Sequence, residues 1–182
     1  MENKNKYALK LIFTITSFSI GYAILRYHLF DDVPWKDLPI FVLNKGISLS
    51  SLVLLTLTFC LSPLKNMGIK IKSKWLDSRK MVEVTGFLFA FLHVFMSMTI
   101  LNPKYYPVFF VSDGTLSLRG NLSLLGAVLG FAILWAYRIS FKSIALEYSG
   151  LSFFVKSKNS IVYILFFTSI HIFLCDIQVW PP

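Results

Sequence analysis

From Arg79 to Ile100 the chain reads RKMVEVTGFLFAFLHVFMSMTI. Two cations open the stretch. An apolar run follows, about as long as a helix must be to cross a hydrocarbon core some 30 Å thick. Such a run restricts a chain severely. Lipid offers no water to exposed backbone groups, so the segment must satisfy them internally, as a helix. One ionisable side chain, His93, lies well inside the run. An imidazole in hydrocarbon is costly without a partner, and its presence there points to function.

Comparable runs occupy about residues 7–29, 41–64, 121–140 and 159–177, with the run just described taken as 80–101. They predict an all-α integral membrane protein, a bundle of about five transmembrane helices forming a single membrane domain over 1–182. Composition agrees. Of 182 residues, 55% are hydrophobic and only 15% charged, against about a quarter charged in soluble domains. The apolar surplus is surface for a lipid bilayer, not a larger core. A net charge of +9 would suit nucleic acid, but the cations sit in loops between apolar runs, as the orientation rule for membrane proteins requires.

Thirteen of the 18 cations fall on one side of a five-span arrangement. They lie in the N-terminal segment (Lys4, Lys6, Lys10), in the basic connector 65–80, and in the fourth connector (Arg138, Lys142, Lys156, Lys158). That side is expected to be cytoplasmic, with the N-terminus inside, the C-terminus outside and the protein in the inner (plasma) membrane. Residues 102–120 form the longest loop on the other side, with Tyr105, Tyr106, Phe109 and Phe110 suited to an interfacial aromatic belt. Residues 141–158, around Gly150, read as a short interfacial helix or re-entrant turn. Gly126 and Gly130 on span four form a small-xxx-small pair that would admit a neighbouring helix closely. Cys60 and Cys175 fall near opposite faces, which excludes a disulfide between them.

A second histidine, His171, sits in span five. His93 lies 13 residues after Lys80 and His171 lies 13 after Lys158. At 1.5 Å per residue both imidazoles are about 20 Å from the inner boundary. Two imidazoles at one depth on separate helices can hold a haem iron between them, an arrangement suited to electron transfer. One face of span three carries Gly86, Phe89, Ala90, His93 and Ser97, with Gly86 and Ala90 small enough to admit a bulky ring. Thr168 or Ser97 would fix the tautomer of a ligating histidine. Near the outer edge Arg26, Lys45 and Arg119 are candidates for the haem propionates. On the residues alone a second account stands beside this one: each histidine hydrogen-bonds to Ser or Thr on a neighbouring helix. His28, at the end of span one, is a weaker candidate for a quinol pocket.

The passage SPLKNM…SRKMVEVTGFLFAFLHVF resembles the ferric reductase-like transmembrane domain family, in which a Ser/Thr-Pro-Leu turn and a basic connector lead to a paired cation, a glycine-containing helix and a haem-ligating histidine. In pattern it is most similar to the haem-binding membrane subunits of bacterial periplasmic methionine sulfoxide reductase systems. Ile161–Tyr163 and His171-Ile172-Phe173 are similar to that family's final ligand helix, and the resemblance spans about residues 41–176. It implies haem b with His93 and His171 as axial ligands. Lys158, and Arg79 with Lys80, stand where the family commonly has further histidines. No sixth span is expected either, so one haem in the outer half of the membrane is expected.

No nucleotide-binding fingerprint is present, so hydride from NAD(P)H is not expected as a direct source. The expected donor is quinol in the membrane (quinone as a second cofactor) or a separate reductase. The expected acceptor is extracytoplasmic: ferric iron or a periplasmic redox partner. The competing expectation is a haem-free scaffold, assembly factor or transporter subunit.

Overall fold

The structure is a computed structural model and describes residues 2–139 and 160–176. Among these it is all-helical, with one isolated β-bridge between Phe110 and Leu116. The long helices are α1 (Glu2–Ala23), α2 (Leu43–Asn66), α3 (Ser73–Thr99), α4 (Leu118–Ile139) and α5 (Ser160–Asp176). Four helical segments are long and apolar enough to cross a membrane: Lys6–Phe30, Trp35–Asn66, Ser73–Thr99 and Leu118–Arg138. The fifth, α5, has 17 residues, about 25 Å at 1.5 Å per residue, the short end of spanning lengths. The turn or helix expected at 141–158, with Lys142, Lys156, Lys158 and Gly150, lies outside the described residues, as do Asn159 and Ile177 at the expected ends of span five.

Three helices begin earlier than their apolar runs, α1 among them at Glu2. α3 starts at Ser73, so the second half of the expected basic connector is helical. This extension is amphipathic: Ser78 is buried, and Trp75 meets the Tyr7 ring edge-on with centroids 6.2 Å apart. α4 starts at Leu118 because Ser117 caps it: the Ser117 Oγ accepts the Gly120 N–H at 3.1 Å, relieving one of the unpaired donors of a first helical turn.

The chain forms two compact units, Met1–Leu101 and Asn102–Pro182. In the first, α1, α2 and α3 pack on one another. Past Ala23, α1 widens into π-helical turns over Ile24–Phe30. Asp31, which pairs with Arg26, then ends it. Pro34 is extended, a 3-10 turn follows at Trp35–Asp37, and π-helical turns Leu38–Val42 enter α2. α2 ends in a Schellman motif: the Gly68 N–H bonds the Lys65 carbonyl and the Ile69 N–H bonds the Leu64 carbonyl, both at 3.1 Å. Gly68 adopts φ 83° there, a conformation costly for a residue with a Cβ.

The turn sends α3 back antiparallel to α2. Ser51 Oγ donates to the Gly86 carbonyl at 2.8 Å. A Cβ on Gly86 would stand 3.0 Å from Leu55 Cγ and 3.2 Å from Leu54 Cβ. Ala8, Leu54 and Val82 form the buried apolar centre, with Ile12, Met81 and Phe89 against it. Outward-facing side chains such as Phe13, Phe18, Phe95 and Met98 are exposed. A surface that apolar suits contact with lipid.

In the second unit α4 packs against α5. A Cβ on Gly126 would be 3.1 Å from the Phe167 carbonyl, and one on Gly130 would be 3.4 Å from Phe167 Cβ. The small pair does admit the neighbouring helix. The loop before α4 is less of a belt than expected. Phe109 is buried, stacked on Tyr106 with centroids 5.6 Å apart, and its carbonyl closes on Gly120. Beside it Lys104 Nζ lies 4.4 Å from the Tyr105 ring centroid.

Candidate functional site

Each candidate ligand histidine lies in its own unit, and each is held by the helix that packs beside it. In the first unit the holder is Asn44, near the start of α2 and fully buried. His93 Nδ1 lies 2.8 Å from Asn44 Oδ1. An amide oxygen only accepts, so Nδ1 carries the proton and the ring's lone pair is on Nε2. Asn44 Nδ2 in turn donates to Ser97 Oγ at 2.9 Å. Ser97 is one turn beyond His93, with its Oγ 3.5 Å from Nδ1. The three side chains close into a small network across the α2–α3 seam.

The second unit repeats the arrangement with different parts. His171 Nδ1 lies 3.0 Å from the Ser123 carbonyl and 3.0 Å from its Oγ. The carbonyl can only accept, so this ring also carries its proton on Nδ1. Ser123 is fully buried. Cys175, one turn after His171, has its Sγ 3.8 Å from Nε2 and 3.5 Å from Ser123 Oγ. A turn from Ser123 toward the start of α4, Arg119 Nε donates to the Leu174 carbonyl at 2.7 Å. Arg119 Nη2 is buried and has no hydrogen-bond partner among the described residues.

Arg26 and Lys45 come together in the first unit, around the Tyr27 ring, at 5.9 Å and 5.7 Å from its centroid. Arg26 pairs with Asp31, and Lys45 also faces the Phe41 ring at 5.5 Å. His28 turns its Nδ1 to the Val33 carbonyl at 2.6 Å and lays its ring against Trp35, centroids 3.8 Å apart. There it braces the loop between α1 and α2.

Two expectations about the surroundings are corrected. Gly86 does not open space for a ring beside His93; Leu54 and Leu55 occupy that side. Thr168 does not orient His171; its Oγ1 faces Gly130, 3.4 Å from where a Cβ there would lie. Ser97, as expected, is a neighbour of the His93 Nδ1, at 3.5 Å, and Asn44 is the nearer partner at 2.8 Å. Asn44 and Ser123 were not anticipated as site residues. Cys60 and Cys175 form no disulfide, and no cluster of three or more His, Cys, Asp or Glu occurs among the described residues. No family model and no curated protein matches this chain.

Proposed function

We propose that this chain is a membrane b-type haem protein. It would pass electrons outward, from quinol or a separate reductase to ferric iron or a periplasmic redox partner. The observation that carries the reading is a shared arrangement: each of the two histidines sets its Nδ1 against an oxygen of the neighbouring helix, Asn44 Oδ1 at 2.8 Å and the Ser123 carbonyl at 3.0 Å, which would leave the lone pair on Nε2. Metal-ligating histidines are ordinarily held in this way, with the second nitrogen donating to a carbonyl or carboxylate that orients the ring and raises its basicity. The equal spacing in the sequence, 13 residues from Lys80 to His93 and 13 from Lys158 to His171, also supports the reading.

Imidazole nitrogens are donors of the kind that haem iron takes. Haem iron held by His93 and His171 would supply one-electron transfer. Asn44 and the Ser123 carbonyl would set the ring planes. Arg119, with one buried nitrogen lacking a partner, would receive a propionate carboxylate on the His171 side. Arg26 and Lys45, gathered on Tyr27, would supply positive charge at the outer end of the first unit.

A second reading has a specific observation behind it. Each histidine already bridges two helices inside its own unit, which is sufficient use for a histidine in a haem-free scaffold, assembly factor or transporter subunit. Spectroscopy separates the two. The chain expressed with haem available, purified in detergent and reduced, is expected to give a haem b difference spectrum that His93→Ala and His171→Ala each remove. A folded, colourless wild-type protein from the same cells would sink the haem reading in favour of the scaffold.

A further inference from the structure

The end of the first unit where α2 turns into α3 gathers cations from three elements. Lys65 lies in the last turn of α2, Lys70 and Lys72 in the connection and Lys74 in the first turn of α3, all four exposed. Trp75 meets the Tyr7 ring edge-on, so Lys6 and Lys10, exposed on α1, come to the same end. Asp77 is the acid on this part of α3 and does not balance them. Apolar side chains are interleaved with the lysines: Met67 is 76% exposed and Ile69 49%. From Ile69 to Lys72 the chain is not helical, and apolar residue and cation alternate.

The lengths of the two helices set the level of this turn. α2 has 24 residues and α3 has 27, about 36 Å and 40 Å at 1.5 Å per residue. A hydrocarbon core is about 30 Å thick, and about 40–45 Å with its headgroups. Helices of this length that cross it therefore end among the headgroups. Residues 67–72 join them. At no more than about 3.4 Å per residue, out and back, they carry the tip only about 10 Å further. That is about one Debye length at physiological salt, so the lysines stay within reach of the surface charge of a leaflet.

We propose that this turn is a contact surface for the anionic phospholipid headgroups of the leaflet it meets. Lys65, Lys70, Lys72 and Lys74 lie against headgroup phosphates, and Met67 and Ile69 reach the apolar boundary beneath them. Clusters of lysine beside a membrane helix attract anionic lipid in this manner, each cation near the surface being worth about fivefold. A soluble acidic partner would answer the lysines alone, whereas a leaflet answers both kinds of side chain. A zwitterionic headgroup brings a cation into a field of cations. The proposal needs the helices to lie in a bilayer and is independent of haem, so a colourless protein serves equally for its test.

The full chain is reconstituted in phosphatidylcholine vesicles with one tryptophan kept and the others replaced by phenylalanine. The one kept is Trp75, beside the turn, or Trp35, in the α1–α2 loop at the far end of the unit. Fluorescence quenching by chain-brominated phosphatidylglycerol is compared with quenching by chain-brominated phosphatidylcholine at equal mole fraction. Phosphatidylglycerol is expected to quench Trp75 more strongly, and Trp35 no more than phosphatidylcholine does. Lys70→Gln and Lys72→Gln should each lower the preference at Trp75 by up to about fivefold. Combining both with Lys74→Gln should abolish it, as should 1 M salt, where the Debye length falls to about 3 Å. Equal quenching of Trp75 by the two lipids would overturn the proposal. So would a preference that survives all three lysine replacements, or one as large at Trp35. Soluble polyglutamate that removes the preference as completely as those replacements would mean a surface for an acidic protein, and would overturn it too.

Discussion

His93 and His171 share a tautomer, but different kinds of acceptor hold them. In the first unit the acceptor is a side chain, the Asn44 amide, itself braced by Ser97. In the second it is the backbone carbonyl of Ser123, with the hydroxyl alongside. A side-chain acceptor can be removed by one substitution; a carbonyl cannot. The first histidine is therefore open to mutation through its neighbour, whereas the second is secured by the path of α4 itself. If the two rings do the same work, substitutions around them should have unequal effects.

The largest effect is expected where that inequality vanishes. His93→Ala and His171→Ala should each abolish bound haem, measured as loss of the reduced-minus-oxidised spectrum at unchanged expression. Loss with only one of them would break the symmetry between the units and leave a single ligand. Next comes Asn44→Leu. It leaves the His93 Nδ1–H facing an apolar group, and loss of such an orienting partner typically weakens metal binding about 10- to 100-fold. Titration of the apoprotein with haem checks this. Asn44→Asp keeps an acceptor and should recover most of the affinity.

Asn44 also shows how far the residues alone could be read. The helical runs were legible because apolar length and flanking cations suffice to mark them. The expected histidine depths rest on residue counts alone. The partner of His93 was not seen, though a signal for it exists. Residues 44 and 93, and likewise 51 and 86, are symmetric about the turn at Gly68 and Ile69, so an antiparallel hairpin closed there brings each pair together. Finding Asn44 required treating the basic connector as a tight helix-to-helix turn, and the early start of α3 at Ser73 was hidden by its many lysines. On the other side, Gly126 and Gly130 announced the α4–α5 contact by their spacing. Ser123 had no such mark, because a backbone carbonyl is available at every position and its selection depends on the seating of the two helices. Gly86 misled for the opposite reason: a small residue is consistent both with space for a ligand and with a close helix, and here the helix is present.

The counterpart of Asn44→Leu in the second unit is Ser123→Ala. It deletes the hydroxyl and leaves the carbonyl in place, so His171 keeps its proton on Nδ1. The expected loss is about 0.6 kcal/mol, the average for an interhelical side-chain hydrogen bond in a membrane protein, read as a small shift in unfolding midpoint with haem affinity nearly unchanged. A loss in haem affinity as large as that of Asn44→Leu would mean that the hydroxyl, not the carbonyl, orients His171, and the contrast between the two units would fail.

The smallest effect is expected in the loop that leads into α4. Asp113 accepts from the Thr115 hydroxyl at 2.7 Å and from the Thr115 N–H at 2.9 Å. The hydroxyl bond first, and then the backbone bond, hold its carboxyl below the ordinary 3.8. A carboxylate depressed in the folded state stabilises the loop above the unfolded value near 3.9, and that contribution is lost as pH falls through the lower folded value. Thr115→Val removes the stronger bond and keeps the backbone one, so the Asp113 midpoint should move part of the way back toward 3.8, followed through the residue 115 amide resonance during an acid titration. Here, as at Ser123, the backbone partner survives the substitution. A midpoint that returns fully to 3.8 would show that the surviving N–H bond does nothing without its side-chain companion, and would weaken the claim that a backbone partner alone is enough to hold His171.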